Sequence, residues 1–305
     1  MKKFMVLLLA VLLVVSFSAC TNGSDDPVDA DVNVVEEAAN DYFVNLSDDI
    51  NKINQADFVD KVKAGDDMFI LDIRQADVYE ESHVQGAVNV PWGAAIGESL
   101  DMLPTDKTIM VYCYSGQTAG QTVALLNIAG FDAKSVNLGW VFGISKVEGV
   151  DEVIETTVNE LPETSDAAID ASIKEAIVDY YNGLADVADT KFKNYKISEA
   201  NAKELLDAQD ESAMFLSIRS ADDYAIGHIE GAVNIPYGKG MQEQFDTLPT
   251  DKTIIVYCYT GQTAGQTVAV LRLLGYDAVS LNAGMGMAPV EPNGWINQGY
   301  PVVAE

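Results

Sequence analysis

Two short segments of the chain have residue types and spacing suited to nucleophilic sulfur chemistry. They read CYSGQTA from Cys113 and CYTGQTA from Cys258, and each follows a run that predicts a strand and leads into a helical pattern. Unpaired backbone N–H groups and the helix dipole at a helix N-terminus favour a thiolate over a thiol. We therefore predict that both cysteines are nucleophiles, the alternative being buried cysteines that act as small hydrophobes.

The residues that follow each cysteine are candidate substrate-binding residues. Glycine lets a loop bend so that its backbone N–H groups converge on an anion, and serine or threonine hydroxyls add donors. Ordinary turn formation would account equally well for the same small polar residues. The candidates are Tyr114, Ser115, Gly116, Gln117, Thr118, Ala119, Tyr259, Thr260, Gly261, Gln262, Thr263 and Ala264.

The two segments belong to a duplicated unit. Residues 103–133 and 248–278 are identical at 24 of 31 positions, with a constant offset of 145. A repeat unit of more than about 100 residues predicts two homologous domains and not a solenoid. The predicted division is domain 1 over 35–150, an acidic linker over 151–172 and domain 2 over 173–305.

Each unit alternates short apolar runs with helical periodicity. This alternation predicts an α/β fold in which a central parallel sheet is flanked by helices on both faces. In such sheets the ligand crevice lies at the carboxyl ends of the strands, where both cysteines are placed. The predicted elements of the first unit are strands over 68–73, 87–90, 108–112 and 135–138 and a helix over 120–128.

The N-terminal residues resemble the lipobox signal of bacterial lipoproteins. Two lysines precede an apolar run over 4–15, which is short for a membrane-spanning helix, and small residues then lead into Cys20. We predict a signal peptide over 1–19, lipidation of Cys20 and a flexible tether over 20–34. The mature protein would then lie outside the cytoplasm. An ordinary cleaved signal peptide with an incidental cysteine is the alternative.

The composition excludes several classes of function. The 305 residues carry 47 Asp and Glu against 18 Lys and Arg, and the resulting net charge of −29 repels phosphate backbones. Nucleic acid is therefore not expected as a partner, and a membrane is contacted through the lipid anchor only. Two histidines and three separated cysteines exclude a zinc cluster, and no metal or organic cofactor is implied.

The motifs around the cysteines resemble those of the rhodanese-like (sulfurtransferase) domain family. The first copy has LDIR over 71–74 and HVQGAVNVP over 83–91 before its cysteine loop, and the second copy has HIEGAVNIP over 228–236. The resemblance implies that Cys113 and Cys258 are catalytic and accept a sulfur atom as a persulfide. It also implies small sulfur donors and thiol or cyanide acceptors as partners.

Both loops depart from the family pattern at one position. Many active members carry a loop arginine where this chain has Thr118 and Thr263, so neither loop contains a cation. We therefore expect weak binding of doubly charged thiosulfate. The same absence argues against cysteine phosphatases and arsenate reductases, which clamp an oxyanion with a loop arginine.

Two arginines outside the loops are further candidate substrate-binding residues. Arg74 and Arg219 occupy equivalent positions, and a salt-bridged structural role is the alternative for both. Asp72 in the first copy is replaced by Ser217 in the second. Lys239 is a candidate cation for the rim of the second site, with a solvated loop lysine as the alternative.

These observations predict a lipid-anchored sulfurtransferase that faces the periplasm or the cell surface. It would move sulfane sulfur from a donor of the thiosulfate or polysulfide type to a thiophilic acceptor. A non-catalytic binding or sulfur-carrier module is the alternative, which the missing loop cations favour. We expect no disulfide between Cys113 and Cys258, because each belongs to the crevice of its own domain.

The predicted anchor can be tested with Cys20→Ala. Without the lipidated cysteine the protein should be released from membranes or remain unprocessed, which fractionation and electrophoretic migration will show. A variant that fractionates and migrates like the wild-type protein would contradict lipidation.

Overall fold

The computed structural model describes residues 27–305. The predicted signal peptide and Cys20 lie outside this range. No helix within the range has both the length and the apolar composition that a membrane crossing requires. The described residues form two domains of the same architecture.

Domain 1 is built on a parallel sheet. Its strands are β1 (Lys52–Ile53), β2 (Phe69–Asp72), β3 (His83–Val84), β4 (Ala87–Asn89), β5 (Ile109–Tyr112), β6 (Ala133–Val136) and β7 (Ile154–Glu155). Its helices are α1 (Pro27–Val44), α2 (Gln55–Ala64), α3 (Ala76–Glu81), α4 (Ala94–Glu98) and α5 (Gln117–Ile128). The sheet order is β1-β6-β5-β2-β4, while β3 pairs antiparallel with β7 outside this sheet.

Domain 2 repeats this plan. Its strands are β8 (Lys196–Ile197), β9 (Ala213–Ser217), β10 (Val233–Asn234), β11 (Thr253–Tyr257) and β12 (Ala278–Leu281). Its helices are α6 (Ala171–Asn182), α7 (Glu199–Asp207), α8 (Ala221–Ile226) and α9 (Gln262–Leu273). The order β8-β12-β11-β9-β10 matches that of domain 1 strand for strand, with parallel pairing throughout. The predicted α/β fold with a central parallel sheet in each domain is confirmed.

Two boundaries differ from the sequence prediction. Helix α1 begins at Pro27, inside the predicted tether over 20–34, because proline needs no N–H group in the first turn of a helix. Strand β7 lies inside the predicted linker over 151–172, where it pairs with β3. The connection between the domains is therefore shorter than predicted, and α6 begins at Ala171.

The hydrophobic core is continuous between the two domains. In domain 1, Leu71 and Val111 face a large buried cluster that also contains Leu216 and Val256 of domain 2. The alternate positions of the same strands, such as Ile70, face a separate cluster on the outer side of the sheet. Each sheet is therefore buried on both faces. Helices of both domains lie between the two inner faces.

Helices α5 and α9 cross at the centre of this shared core. A Cβ atom added to Gly120 of α5 would lie 2.3 Å from the carbonyl oxygen of Gln262, and one added to Gly265 of α9 would lie 2.3 Å from that of Gln117. No side chain fits at such distances, so the two helix backbones touch directly. The crossing needs glycine at both positions.

The leading helix of each domain packs against the other domain. Phe43 of α1 contacts the ring of Tyr237 in domain 2, with ring centroids 5.7 Å apart. Tyr181 of α6 contacts Trp92 in domain 1 at 5.4 Å. Helices α1 and α6 also pack against each other. The two domains therefore exchange their N-terminal helices. Each domain completes its packing with a helix of the other domain.

The helix crossing predicts a specific loss of stability. Gly265→Ala should lower the free energy of unfolding by about 1–3 kcal/mol, because its methyl group meets a backbone oxygen that has no room to move. Urea unfolding followed by circular dichroism measures the change. The matched control is Gly238→Ala, at a position with no atom within 4 Å of the added Cβ. Equal stability of the two variants would show that the helices do not cross in this way.

Candidate functional site

Each cysteine lies between a central strand and an interface helix. Cys113 follows β5 and precedes α5, while Cys258 follows β11 and precedes α9. Both thiols are free and their residues are only 2% exposed. The carboxyl end of a strand and the N-terminus of a helix thus converge on each sulfur atom.

Backbone N–H groups of each loop point at the sulfur atom. Gly116 donates to Cys113 Sγ at 3.1 Å and Ala119 donates to it at 3.4 Å. Gly261 donates to Cys258 Sγ at 3.1 Å. The φ angles of +87° at Gly116 and +90° at Gly261 lie in the left-handed region that favours glycine, and they turn these N–H groups inward. The loops can therefore stabilise negative charge on sulfur without a loop cation.

The other predicted loop residues occupy different environments. Tyr259, Thr260 and Thr263 line a cavity of about 620 Å³ that opens at Cys258. In domain 1, Ser115 and Thr118 are half-buried, and Tyr114 is exposed. Ala264 is fully buried at the start of α9. Within the second loop, the hydroxyl-bearing residues are therefore the ones that a donor in the cavity can reach.

The side chains of Gln117 and Gln262 have partners across the domain interface, and their predicted substrate-binding role stays a prediction. Both side chains are buried and cross the domain interface. Gln117 Nε2 donates to Ser280 Oγ at 2.7 Å, and Gln262 Nε2 donates to Ser135 Oγ at 2.7 Å. These amides satisfy buried hydroxyls of the opposite sheet, so they hold the domains together.

Arg74 forms a buried ion pair within domain 1, as the salt-bridged alternative expects. Its Nη2 donates to Asp72 Oδ2 at 2.7 Å and to the carbonyl oxygen of Ser82 at 2.7 Å. The guanidinium also lies over the ring of Trp140, 4.1 Å from its centroid. Although burial acts to lower the pKa of Arg74, hydrogen bonding and charge from Asp72 raise it above its usual value. The predicted substrate-binding role of Arg74 stays a prediction.

Arg219 occupies the same place in domain 2 without a carboxylate partner. Its Nη2 donates to the carbonyl oxygen of Gly227, and Ser217 stands where domain 1 has Asp72. Among the described residues, its buried Nε has no hydrogen-bond partner. Arg219 is not among the residues that line the cavity at Cys258, but its guanidinium lies over the ring of Tyr259, which does line it, 6.0 Å from the ring centroid.

The cavity at Cys258 is completed by the other domain. Domain 1 contributes Ile50, Lys52 and Leu138 to its lining. Lys239, the cation predicted from sequence for this rim, is exposed and does not line the cavity. The cysteine loop contains no cation, but Lys52 of domain 1 lines the cavity at Cys258.

Lys52 and Lys196 are the functional candidates that the sequence prediction missed. Burial lowers the pKa of the Lys52 ammonium, and the nearby Cys258 thiol acts in the opposite direction. Burial likewise lowers the pKa of Lys196, against the opposing effects of the Cys113 thiol and the Glu199 carboxylate. The only sequence signal is a Lys-Ile pair repeated at the start of each unit. Within residues 27–305, no cluster of His, Cys, Asp and Glu side chains is arranged to hold a metal ion.

Comparison with known protein families gives a match in both domains. The model of the rhodanese-like domain matches residues 54–141 and 200–286, which together cover more than half of the chain. The probable adenylyltransferase/sulfurtransferase MoeZ of Mycobacterium tuberculosis is 32% identical over 117 residues, which are 36% of this chain and 29% of MoeZ. The chain thus spans less than a third of the length of that relative.

A smaller relative and a solved structure are also similar to the chain. The thiosulfate sulfurtransferase PspE of Escherichia coli is 38% identical over 72 residues, covering 23% of this chain and 67% of PspE. The crystal structure of SseA from Escherichia coli, described as a 3-mercaptopyruvate sulfotransferase, aligns with a TM-score of 0.37 and 17% identity. That alignment covers 77% of this chain and 98% of SseA.

The contrast between the two arginines predicts a gain of stability. Ser217→Asp should raise the free energy of unfolding by about 1–3 kcal/mol, because it gives Arg219 the carboxylate partner that Arg74 already has. Urea unfolding measures the gain, and the reciprocal variant Asp72→Ser should lose stability. A Ser217→Asp variant no more stable than the wild-type protein would show that Arg219 does not need a carboxylate.

Proposed function

This chain belongs to the rhodanese-like domain family, and from that membership we propose that it carries sulfane sulfur as a persulfide on Cys113 and on Cys258. The two curated relatives described above are both named as sulfurtransferases. We propose the same reaction class for this chain, with one active site in each domain.

The observation that carries the proposal is the hydrogen bonding of the two sulfur atoms. Each Sγ accepts a backbone N–H group at 3.1 Å from the glycine three residues further along its loop. The attacking group is a thiolate, whose negative charge lies on Sγ, and fixed N–H donors in a buried site stabilise that charge. A cysteine that served only as a small hydrophobe would need no such donors.

The proposed chemistry consists of two displacements on sulfur. The cysteine thiolate attacks the outer sulfur of thiosulfate, a new S–S bond forms, and the old S–S bond breaks. Sulfite leaves with both electrons of the broken bond, and the enzyme holds Cys–S–S⁻. A thiophilic acceptor such as cyanide then attacks the terminal sulfur, giving thiocyanate and the original thiolate. Charge and atoms balance in both steps, and no cofactor is required.

We also propose where the reaction takes place. The basic start, apolar run and Cys20 support a protein that is lipid-anchored on the extracytoplasmic side of a bacterial membrane. Its partners would be small sulfur donors and thiol or cyanide acceptors, which fit a cavity of about 620 Å³. A net charge of −29 disfavours nucleic acid as an acceptor.

The number of sulfur atoms taken up tests the proposal. Reduced protein incubated with thiosulfate or with polysulfide should gain up to two sulfur atoms by intact mass spectrometry, and cyanide should remove them. Cys113→Ser and Cys258→Ser should each retain about half of the loading, and the double variant none, because the sites are homologous but separate. Loss of all loading in either single variant, or full loading of the double variant, would contradict two independent persulfide sites.

The same experiment separates catalysis from sulfur storage. A sulfurtransferase should pass the bound sulfur to cyanide repeatedly, so thiocyanate will exceed the protein in amount. A carrier module should load once and release its sulfur only stoichiometrically.

A further inference from the structure

Each of the two domains begins its sheet with a lysine that follows a strained turn. The turn before β1 contains Ile50 and Asn51 with φ angles of 54° and 53°, and the turn before β8 contains Asn194 and Tyr195 with φ angles of 61° and 50°. Two consecutive left-handed residues without glycine are unfavourable, above all for a β-branched isoleucine. Such strain persists only where the surrounding structure enforces it, and it occurs mainly at functional sites.

The structure that enforces each turn comes from the other domain. The side-chain amide of Gln266 on α9 donates to the carbonyl oxygen of Ile50 at 3.2 Å. The amide of Gln121 on α5 donates to the carbonyl oxygen of Asn194 at 3.3 Å. Helices α5 and α9 are also the helices that begin at the cysteine loops. Each turn is therefore fixed relative to the loop of the opposite domain.

Within residues 27–305, neither of these two lysines is fixed by an ion pair, although the Glu199 carboxylate is near enough to act on Lys196. Among the described residues, neither Lys52 nor Lys196 forms an ion pair, whereas Lys134 on the neighbouring strand β6 is paired with Asp49. Lys52 instead lines the cavity that holds Cys258. Lys52 also lines a second cavity, together with Asp49, Asp57 and Asp60. Its half-buried side chain thus borders a space at Cys258 that a ligand can enter, in a chain whose net charge of −29 otherwise repels anions.

We propose that each domain supplies the anion-binding cation of the other domain's site, Lys52 for the donor at Cys258 and Lys196 for the donor at Cys113. The inference rests on the proposed sulfur transfer and identifies its donor as a small anionic sulfur compound. An ammonium in each site replaces the arginine that the cysteine loops lack. It attracts the donor and stabilises the negative charge that moves to the leaving group.

The test uses single-site proteins, so that each measurement reports on one cysteine. In a Cys113→Ser background, Lys52→Met should slow sulfur loading of Cys258 by thiosulfate about tenfold, while Lys196→Met should leave it unchanged. In a Cys258→Ser background the two lysines should exchange roles. Lys52→Arg, which keeps the charge, should retain most of the loading rate. Lys203→Met is the control, because Lys203 is paired with Asp207 on the surface of α7.

A second readout does not depend on sulfur transfer. Iodoacetate and iodoacetamide alkylate a thiolate with loss of the same iodide ion, but only iodoacetate is negatively charged. Lys52→Met should lower the rate of alkylation by iodoacetate, relative to that by iodoacetamide, about tenfold at Cys258. The same ratio of rates at Cys113 should be unchanged. The ratio cancels any effect of the lysine on the amount of thiolate, because both reagents react with the same thiolate.

The two readouts distinguish failure of this inference from failure of the proposed function. If the wild-type protein takes up no sulfur, the proposed function fails, and the alkylation ratio still decides whether Lys52 attracts anions to Cys258. An unchanged ratio, or a change at the cysteine of the same domain, overturns the inference even if sulfur loads normally. Thermal unfolding of each variant shows that it is folded, and Lys52→Arg separates loss of charge from loss of packing.

Discussion

The direct contact between helices α5 and α9 is the constraint on which the rest of the structure depends. Because Gly120 and Gly265 have no side chain, the two backbones approach to a distance that no other residue allows. At this close approach of the two helices, the glutamines at their N-termini reach the serines of the opposite sheets. The cysteine loops immediately precede these glutamines, so the crossing also determines which residues of one domain face the sulfur atom of the other.

Duplication explains why this interface is nearly symmetric, and the exceptions show where the two copies have diverged. The paired glutamines, the strained turns and the exchanged helices all occur twice. The carboxylate partner of the buried arginine occurs only once, since domain 2 has Ser217 in place of Asp72. A buried cation that loses its carboxylate costs stability, and this arginine is not among the residues that line the cavity. This divergence therefore acts on stability, whereas in the cysteine loops Ser115 of the first copy is replaced by Thr260 in the second.

The sequence predicted those features that are encoded by local patterns. The central strands, the loop after β5 and the following helix all have apolar periodicity or turn residues, and they were predicted to within a few residues. Strands β1 and β8 are two residues long and have no periodicity, so they were missed together with Lys52 and Lys196. The interface role of Gln117 was also not predictable, because its partner Ser280 lies 163 residues away. Contacts between domains leave no local signal.

A cation placed on the other domain makes the electrostatics of each site depend on domain docking. A loop arginine belongs to its own domain whether or not that domain is paired, whereas Lys52 reaches the cavity of Cys258 only across the interface. Docking also buries each sulfur atom beside the shared core, where charges interact more strongly than in water. The same packing that excludes water from a reactive persulfide would therefore bring in the charge that attracts its donor. In this chain, the absence of a loop arginine would then be no argument against anionic substrates, because the cation would lie in the opposite domain.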